Sequence, residues 1–392
     1  MKSVILPLTA IWIVLVASCS HKDQSITLIE QKGETLMIMN LKNITDSIKI
    51  NLSDIATDLR FIQLETRPDC LISNATYYIT DKYVLARTKS GIYQFDHLGK
   101  FIRVLVSRGQ GPREYETAEW VIDEKNQRLI LADEQKTGYL LYFDLKTGEY
   151  LGDIPKAIPG VTRKFAITAY GSLACVPYVT PGGATDTYYL FWQDIQGKLI
   201  DAIKGPPDLA IWHDNYLEPI PEGYRYMLAH SNKDTIYTIR DKSLIPFLAF
   251  NYGEEVPDNM ETPGYRSMKI VLETDQYLIL SKLQLSEVLT SGDRTSTSWT
   301  GSEYLLDKQQ QKAYLIPGIY NDFIGAALPA QMYRKLPNNK IYNILQAFEL
   351  IGMAERAIDN PKSDQKLIGR MSDIRDQVSR EDNPVLVVGA LK

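Results

Sequence analysis

"IYQFDHLGKF", residues 92–101, is an apolar and aromatic strand that ends in Asp96, turns through Gly99 and begins a second strand. The arrangement returns as "LLYFDLKTGEY" at 140–150, as "YLFWQDIQGKL" at 189–199 and, in weaker form, as "IYTIRDKSLI" at 236–245. Asp96, Asp144, Asp194 and Asp241 follow one another at intervals of 48, 50 and 47 residues. Turn chemistry accounts for the recurrence. An aspartate carboxylate accepts from backbone N–H groups two residues on, and Gly99, Gly148 and Gly197 supply the positive φ that closes a hairpin. A period in the forties built from strands is the signature of a propeller blade.

Each period divides into four strands. In the first, "ATYYITD", "KYVLART", "GIYQFDH" and "KFIRVLV" cover residues 75–106; "AEWVIDE", "RLILADE", "YLLYFDL" and "EYLGDI" repeat the pattern. Three more units fall at 164–204, 210–253 and 267–318, the last lengthened by the polar loop "TSGDRTSTSWTGS". The sixth has "NDFIGAAL" (321–328) and "KIYNILQ" (340–346) as inner strands. From 345 to 380 the residues are rich in Ala, Leu, Glu, Lys and Arg and read as two helices, broken at "DNPKSD". Leu350, Met353, Ile358, Leu367, Ile368, Met371 and Ile374 form their apolar stripe, which either packs on the sixth blade or docks a partner. The closing "NPVLVVGALK" leaves one strand missing, which "LRFIQLET" (59–66) supplies. The expectation is an all-β, six-bladed propeller over 46–392, closed by its terminal strands and carrying a helical insertion in the last blade.

The front of the chain is of another kind. Lys2 precedes an uncharged, mostly apolar run from Val4 to Val16, and "VASC" leads into Cys19. A run this short is an export signal rather than a membrane span, and its end resembles a bacterial lipobox. Residues 1–18 are then the signal peptide, Cys19 the lipidated N-terminus and 19–45 a tether and N-terminal segment. Acyl chains would hold the protein on the membrane without a transmembrane helix. Outer-membrane placement follows, on the periplasmic or the cell-surface face; Asp23 alone follows the cysteine as an acidic residue.

Removal of the signal takes away Lys2 and leaves 42 basic against 48 acidic residues, a charge of −6 with no basic block. Nucleic acid is therefore not an expected partner. Cys70 and Cys175 either pair or remain free thiols. No CxxC occurs, and His21, His97, His213 and His230 lack ligand spacing, so neither a metal nor another cofactor is expected.

The motifs "LRFIQLET", "FDHLGKFIRVLVSRGQGPREY", "DTIYTI" and "EDNPVLVVGALK" resemble those of the six-bladed propeller lipoproteins of Bacteroidetes, related to NHL-type propellers. The resemblance covers essentially the whole mature chain. It implies a propeller fold and an association with carbohydrate handling, and it implies no reaction.

Two segments are candidates for a ligand. "SRGQGPREYE", 107–116, crosses from the first blade to the second with Arg108, Gln110, Arg113, Glu114 and Tyr115. Its arginines and glycine N–H groups suit a carboxylate, sulfate or sugar hydroxyl. Equally, Gly109, Gly111 and Pro112 can be plain chain punctuation, with Glu114 and Tyr115 as anchors. "IWHDNYLEPIPEGYRY", 211–226, offers Trp212, His213, Asp214, Tyr216 and Glu218, aromatic faces beside carboxylates that suit a sugar; aromatics in strands are also ordinary packing in a chain with 24 tyrosines. No catalytic residue is assigned, because G-x-S-x-G, HExxH and phosphate-loop motifs are absent. The first reading is a non-catalytic platform for a glycan or peptide. The alternatives are a polysaccharide hydrolase or lyase using carboxylates or His213, and an assembly protein that meets an envelope partner through its rim or helices.

Overall fold

The computed structural model describes residues 25–31, 33–168, 171–177, 187–205, 216–220, 223–227, 235–240, 243–257, 262–291 and 294–392. Asp96, Asp144 and Asp194 each take the expected turn role. The Asp96 carboxylate accepts from Leu98 and Lys100 N–H, both at 2.9 Å; Asp144 accepts from Lys146 and Thr147; Asp194 accepts from Gln196 and Lys198. The glycines that follow have a second duty. A Cβ on Gly99 would collide with the Gln63 carbonyl, and one on Gly197 with the Pro155 carbonyl, each on the outer strand of the neighbouring sheet. The repeat thus fixes both the turn and the close approach of one sheet to the next.

These hairpins build consecutive antiparallel sheets. The first holds Thr76–Ile79, Tyr83–Arg87, Gly91–Asp96 and Phe101–Ser107 in spatial order, and the second Ala118–Asp123, Arg128–Asp133, Tyr139–Asp144 and Tyr150–Pro155. The third holds Thr162–Ile167, Leu173–Pro177, Tyr188–Gln193 and Leu199–Lys204, and the fourth Tyr216–Ile220, Gly223–Met227, Thr235–Arg240 and Ser243–Asn251. The fifth runs through Arg266–Glu273, Tyr277–Ser291, Arg294–Asp307 and Lys312–Ile316. First strands lie beside one another: Ala118–Asp123 against Thr162–Ile167, the latter against Tyr216–Ile220, and Arg266–Glu273 against Tyr333–Lys335. The first strand of the second to sixth sheets is therefore the inner one, as in a propeller.

The sixth sheet joins the two ends of the chain. Val385–Leu391 pairs antiparallel with Lys340–Leu345 on one side and with Ala56–Gln63 on the other. Asn383, just before it, is buried and clasps the N-terminal segment: its Oδ1 accepts from Ile72 N–H at 2.7 Å, and its Nδ2 donates to the Glu65 and Cys70 carbonyls at 2.7 and 2.8 Å.

Three features differ from the sequence expectation. The innermost strand of the sixth sheet is Tyr333–Lys335; the expected segment 321–328 instead turns on Asn321, whose carbonyl accepts from Ile324 and Gly325 N–H, and forms a small sheet with Ile50–Asn51. The N-terminal segment is no simple tether: Ile26–Gln31 and Glu34–Asn40 form a hairpin that adds to the outer edge of the fourth sheet, with Met37 to Asn40 running parallel to Leu248 to Asn251. The polar stretch 290–302 is no loose loop, because the strands Tyr277–Ser291 and Arg294–Asp307 stay paired out to Ser291 and Arg294. Their flanking strands pair only as far as Gln284 and Glu303, so 285–291 and 294–302 make a two-stranded arm beyond the sheet. The helices, Ala347–Asp359 and Gln365–Gln377, form as expected, and the side chain of Asp364 caps the second. Leu350, Leu367, Met371 and Ile374 are buried in one core with the sixth sheet and Met353 and Ile358 pack on it, so the stripe is packing rather than a free docking face. Cys70 and Cys175 are free, buried thiols.

The clasp yields a test. Asn383→Ala leaves one buried N–H and two carbonyls without their partner, and each such group costs about 1–3 kcal/mol. Urea unfolding is expected to show a loss of about 3 kcal/mol or more, whereas Leu98→Ala, at a side chain 72% exposed, changes stability by less than about 0.5 kcal/mol.

Candidate functional site

The crossover 107–116 satisfies itself. Gly109 N–H donates to the Tyr115 carbonyl at 2.9 Å, and Gly111 N–H to the Glu114 carboxylate at 2.9 Å. A Cβ on Gly109 would strike that same carboxylate. Glu114 thus occupies the position in which an external anion was expected, and glycine is required so that its carboxylate can lie over the backbone. Arg108 donates to the Glu116 carbonyl at 2.8 Å and the Lys89 carbonyl at 3.3 Å, and Tyr115 is buried. Burial pushes the Tyr115 phenol up to about 12. Arg113 lies over the Tyr150 ring at 5.3 Å; it and Gln110 are exposed.

Of the second segment, Trp212, His213 and Asp214 lie outside the described residues, as do Cys19 and the signal. Tyr216 opens the inner strand of the fourth sheet. Glu218, two residues on, forms an ion pair with Lys335 on the inner strand of the sixth sheet, both being nearly buried. Glu218 and the crossover therefore sit in different parts of the molecule: the crossover joins the outer strand of one sheet to the inner strand of the next, whereas Lys335 lies where an inner strand turns into its second strand.

That opposite end of the sheets gathers charges the sequence reading did not select. Arg225, the register partner of Glu218, grips Glu273 through Nε and a terminal nitrogen at 3.0 and 2.9 Å. Lys308 reaches the same carboxylate at 3.1 Å, and the Arg225 guanidinium stands 3.6 Å above the Phe247 ring. A neighbouring group comes from the first, second and sixth sheets. Asn338 Nδ2 donates to Glu124 Oε1 at 2.7 Å and to the Ile79 carbonyl at 2.8 Å, and Tyr78 lies against the same carboxylate at 3.4 Å. Asn338 Oδ1 is buried with no hydrogen-bond partner. Lys340 pairs with Asp81 at 2.6 Å beside them.

Burial opposes ionisation of Glu273, but hydrogen bonds and charge from Arg225, with Lys308, overcome it and hold the carboxyl below its ordinary value. At Glu218 and Glu124 burial prevails over Lys335 and Asn338 respectively, and both carboxyls are raised. The arrangement can accept from and donate to a polar ligand at fixed positions. The signal that marks it in sequence is a charged residue next to the turn between first and second strands, as in Glu124, Glu273 and Lys335, but it does not reveal which pairs meet. Among the described residues no three His, Cys, Asp or Glu side chains group as a metal site, and no helix is long and apolar enough to cross a membrane.

A family model described as a domain of unknown function, DUF4934, matches residues 36–390. The chain belongs to the DUF4934 family. The match begins inside Glu34–Asn40, so the DUF4934 domain takes in the strand that extends the fourth sheet. Among solved structures, a Bacteroides fragilis protein named for its expected export is 16% identical, covers 91% of this chain and 100% of its own, and superposes with a TM-score of 0.60. That likeness shows a shared fold. The WD40 repeats of RRP9 are 10% identical over 88% of this chain and 99% of their own, with a TM-score of 0.42. No curated protein matches the DUF4934 chain in sequence.

The Glu273 cluster predicts a pH dependence. A carboxyl lowered in the folded state adds stability above its unfolded pKa, and that stability is lost as pH falls through the folded value. Glu273→Gln leaves Arg225 without its carboxylate and is expected to cost about 3–5 kcal/mol at neutral pH. Denaturation at a series of pH values should show the gap between variant and parent narrowing as pH falls below the ordinary glutamate range.

Proposed function

We propose that this DUF4934 protein is a cell-envelope lipoprotein, lipidated at Cys19, that serves as a non-catalytic binding platform for a glycan or peptide. Its six four-stranded units close as the blades of an NHL-like six-bladed propeller, the shared terminal strands making the closure. The export signal and the cysteine that follows support the location. The pairing of Ala56–Gln63 with Val385–Leu391 supports the closure.

One observation carries the binding reading. Tyr78 on a strand of the first sheet, Glu124 in the turn that leaves the inner strand of the second and Asn338 in the corresponding turn of the sixth converge through hydrogen bonds, and Asn338 Oδ1 has no hydrogen-bond partner among the described residues. A preformed site with a few converging polar groups is what a sugar hydroxyl or a peptide N–H requires. Arg108 and Glu114 are engaged within their own loop, so Gln110 and Arg113 are what the crossover offers a ligand, with Trp212, His213, Asp214, Tyr216 and Glu218 as the further candidates of the fourth blade. Glu124 has the raised carboxyl that a general acid would use, which keeps a hydrolase as the second reading.

The test is a glycan and peptide array on residues 20–392, followed by calorimetric titration of each hit. Loss of one hydrogen bond to a charged group weakens binding by about tenfold or more, so Glu124→Gln and Asn338→Ala are expected to lower affinity by at least that factor while the ligand is recovered unchanged. A hit lost only in Gln110→Ala or Arg113→Ala moves the site to the crossover side. A ligand recovered cleaved replaces the platform with the hydrolase, and silence across the array contradicts a small-ligand site and favours a partner protein.

A further inference from the structure

We propose that the seam between the fourth and fifth sheets faces the membrane, so that the rim of the propeller, and neither of its mouths, lies against the bilayer. The inference rests on the lipid anchor at Cys19 and concerns what that anchor does to orientation.

Ser25, the first of the described residues, is fixed to the folded body. Ser25 is buried; its carbonyl accepts from Asn40 N–H at 2.8 Å, and its Oγ accepts from Ala313 N–H at 3.1 Å. Asn40 ends the hairpin strand on the edge of the fourth sheet, and Ala313 lies on the outer strand of the fifth. The exit is therefore stitched to both sheets at their outer edges. Six residue steps separate Ser25 from Cys19. Even fully extended, they reach only roughly 20 Å, whereas a compact body of this size is roughly 50 Å across. The tether is too short to let the first sheet, remote from this seam, turn toward the bilayer.

The surface at the exit suits that position. Leu28 and Ile29, on the edge strand that follows Ser25, are each 41% exposed, and Ile48 is 40% exposed. Ile48 is held beside the exit by its N–H donating to the Leu315 carbonyl at 3.0 Å, two residues from Ala313. Single exposed apolar residues are ordinary on a protein surface; these three flank the one place that the anchor holds near lipid. Among the described residues the strand Ile26–Gln31 ends its sheet, and a membrane surface in front of it also shields that edge from pairing with other chains. With the rim toward the bilayer, the propeller axis runs along the membrane plane and both mouths open to solvent.

The full-length lipidated protein, in vesicles of phosphatidylethanolamine and phosphatidylglycerol, provides the test. Cys70 and Cys175 are buried, and burial raises both thiols, so a single introduced cysteine takes the fluorophore. Leu28→Cys and Ile48→Cys are compared with Leu98→Cys on the first sheet, using nitroxide-labelled lipid as quencher. Severalfold stronger quenching at 28 and 48 than at 98 is expected. Inserting about 20 Gly/Ser residues between Gln24 and Ser25 adds roughly 25 Å of reach and is expected to erase the difference. Equal quenching at the three positions with the native tether, or stronger quenching at 98, overturns the orientation. Fractionation reads the anchor separately: the parent remains with membranes and Cys19→Ala is released, and a parent found in the soluble fraction overturns the anchor and the orientation with it.

Discussion

The strand Val385–Leu391 has to satisfy both of its edges and both of its faces, and the rest of the molecule is arranged so that it can. Its edges are taken by Lys340–Leu345 and by Ala56–Gln63, the latter more than three hundred residues earlier in the chain. Its faces belong to different cores. Val385, Val387 and Leu391 are buried with the helices and the small sheet, whereas Leu386 and Val388 are buried with the first and second sheets. Successive side chains of a strand point to opposite faces, so one seven-residue element can join two cores only if its register is fixed. Asn383 fixes the approach to that register by binding three backbone groups of the N-terminal segment.

The charged groups at the inner ends of the sheets inherit this constraint. Lys335 precedes, and Asn338 lies within, the turn into Lys340–Leu345, the strand that Val385–Leu391 pairs with. Through them the sixth sheet reaches Glu218 of the fourth and Glu124 of the second. A nearly buried pair such as Glu218 and Lys335 requires good geometry, because two charges removed from water lose more by desolvation than a loose contact returns. The pairing of Lys340–Leu345 with Val385–Leu391 is what places these groups beside their partners in the other sheets.

Much of the fold was legible because its signal is local. An aspartate, a turn and a glycine sit within five residues of one another, and the same glycine is demanded again where sheets approach, so selection for two requirements leaves one visible period. Features that depend on distant partners were not legible. The hairpin Ile26–Asn40 carries no mark of Leu248 to Asn251, with which it runs parallel, and the three-residue strand Tyr333–Lys335 is too short to display alternation. The candidate site divides in the same way. Within 107–116 the sequence leaves an anion cradle and a plain bend both open, and no spacing rule foretells that the Glu114 carboxylate lies over Gly109 and Gly111. Glu218 is visible as a carboxylate among aromatics, but its partner Lys335 lies in another sheet, and no spacing rule connects them.

Pairing of the two ends of the chain in one sheet is expected to make the sheets one cooperative unit. Native-state hydrogen exchange across 56–63, 340–345 and 385–391, compared with the inner strands of the first five sheets, tests it most directly. Amides of these three strands are expected to exchange only through global unfolding, with the same free energy as the best-protected amides elsewhere. Exchange of these three strands through a cheaper opening, while the other sheets stay protected, would contradict it.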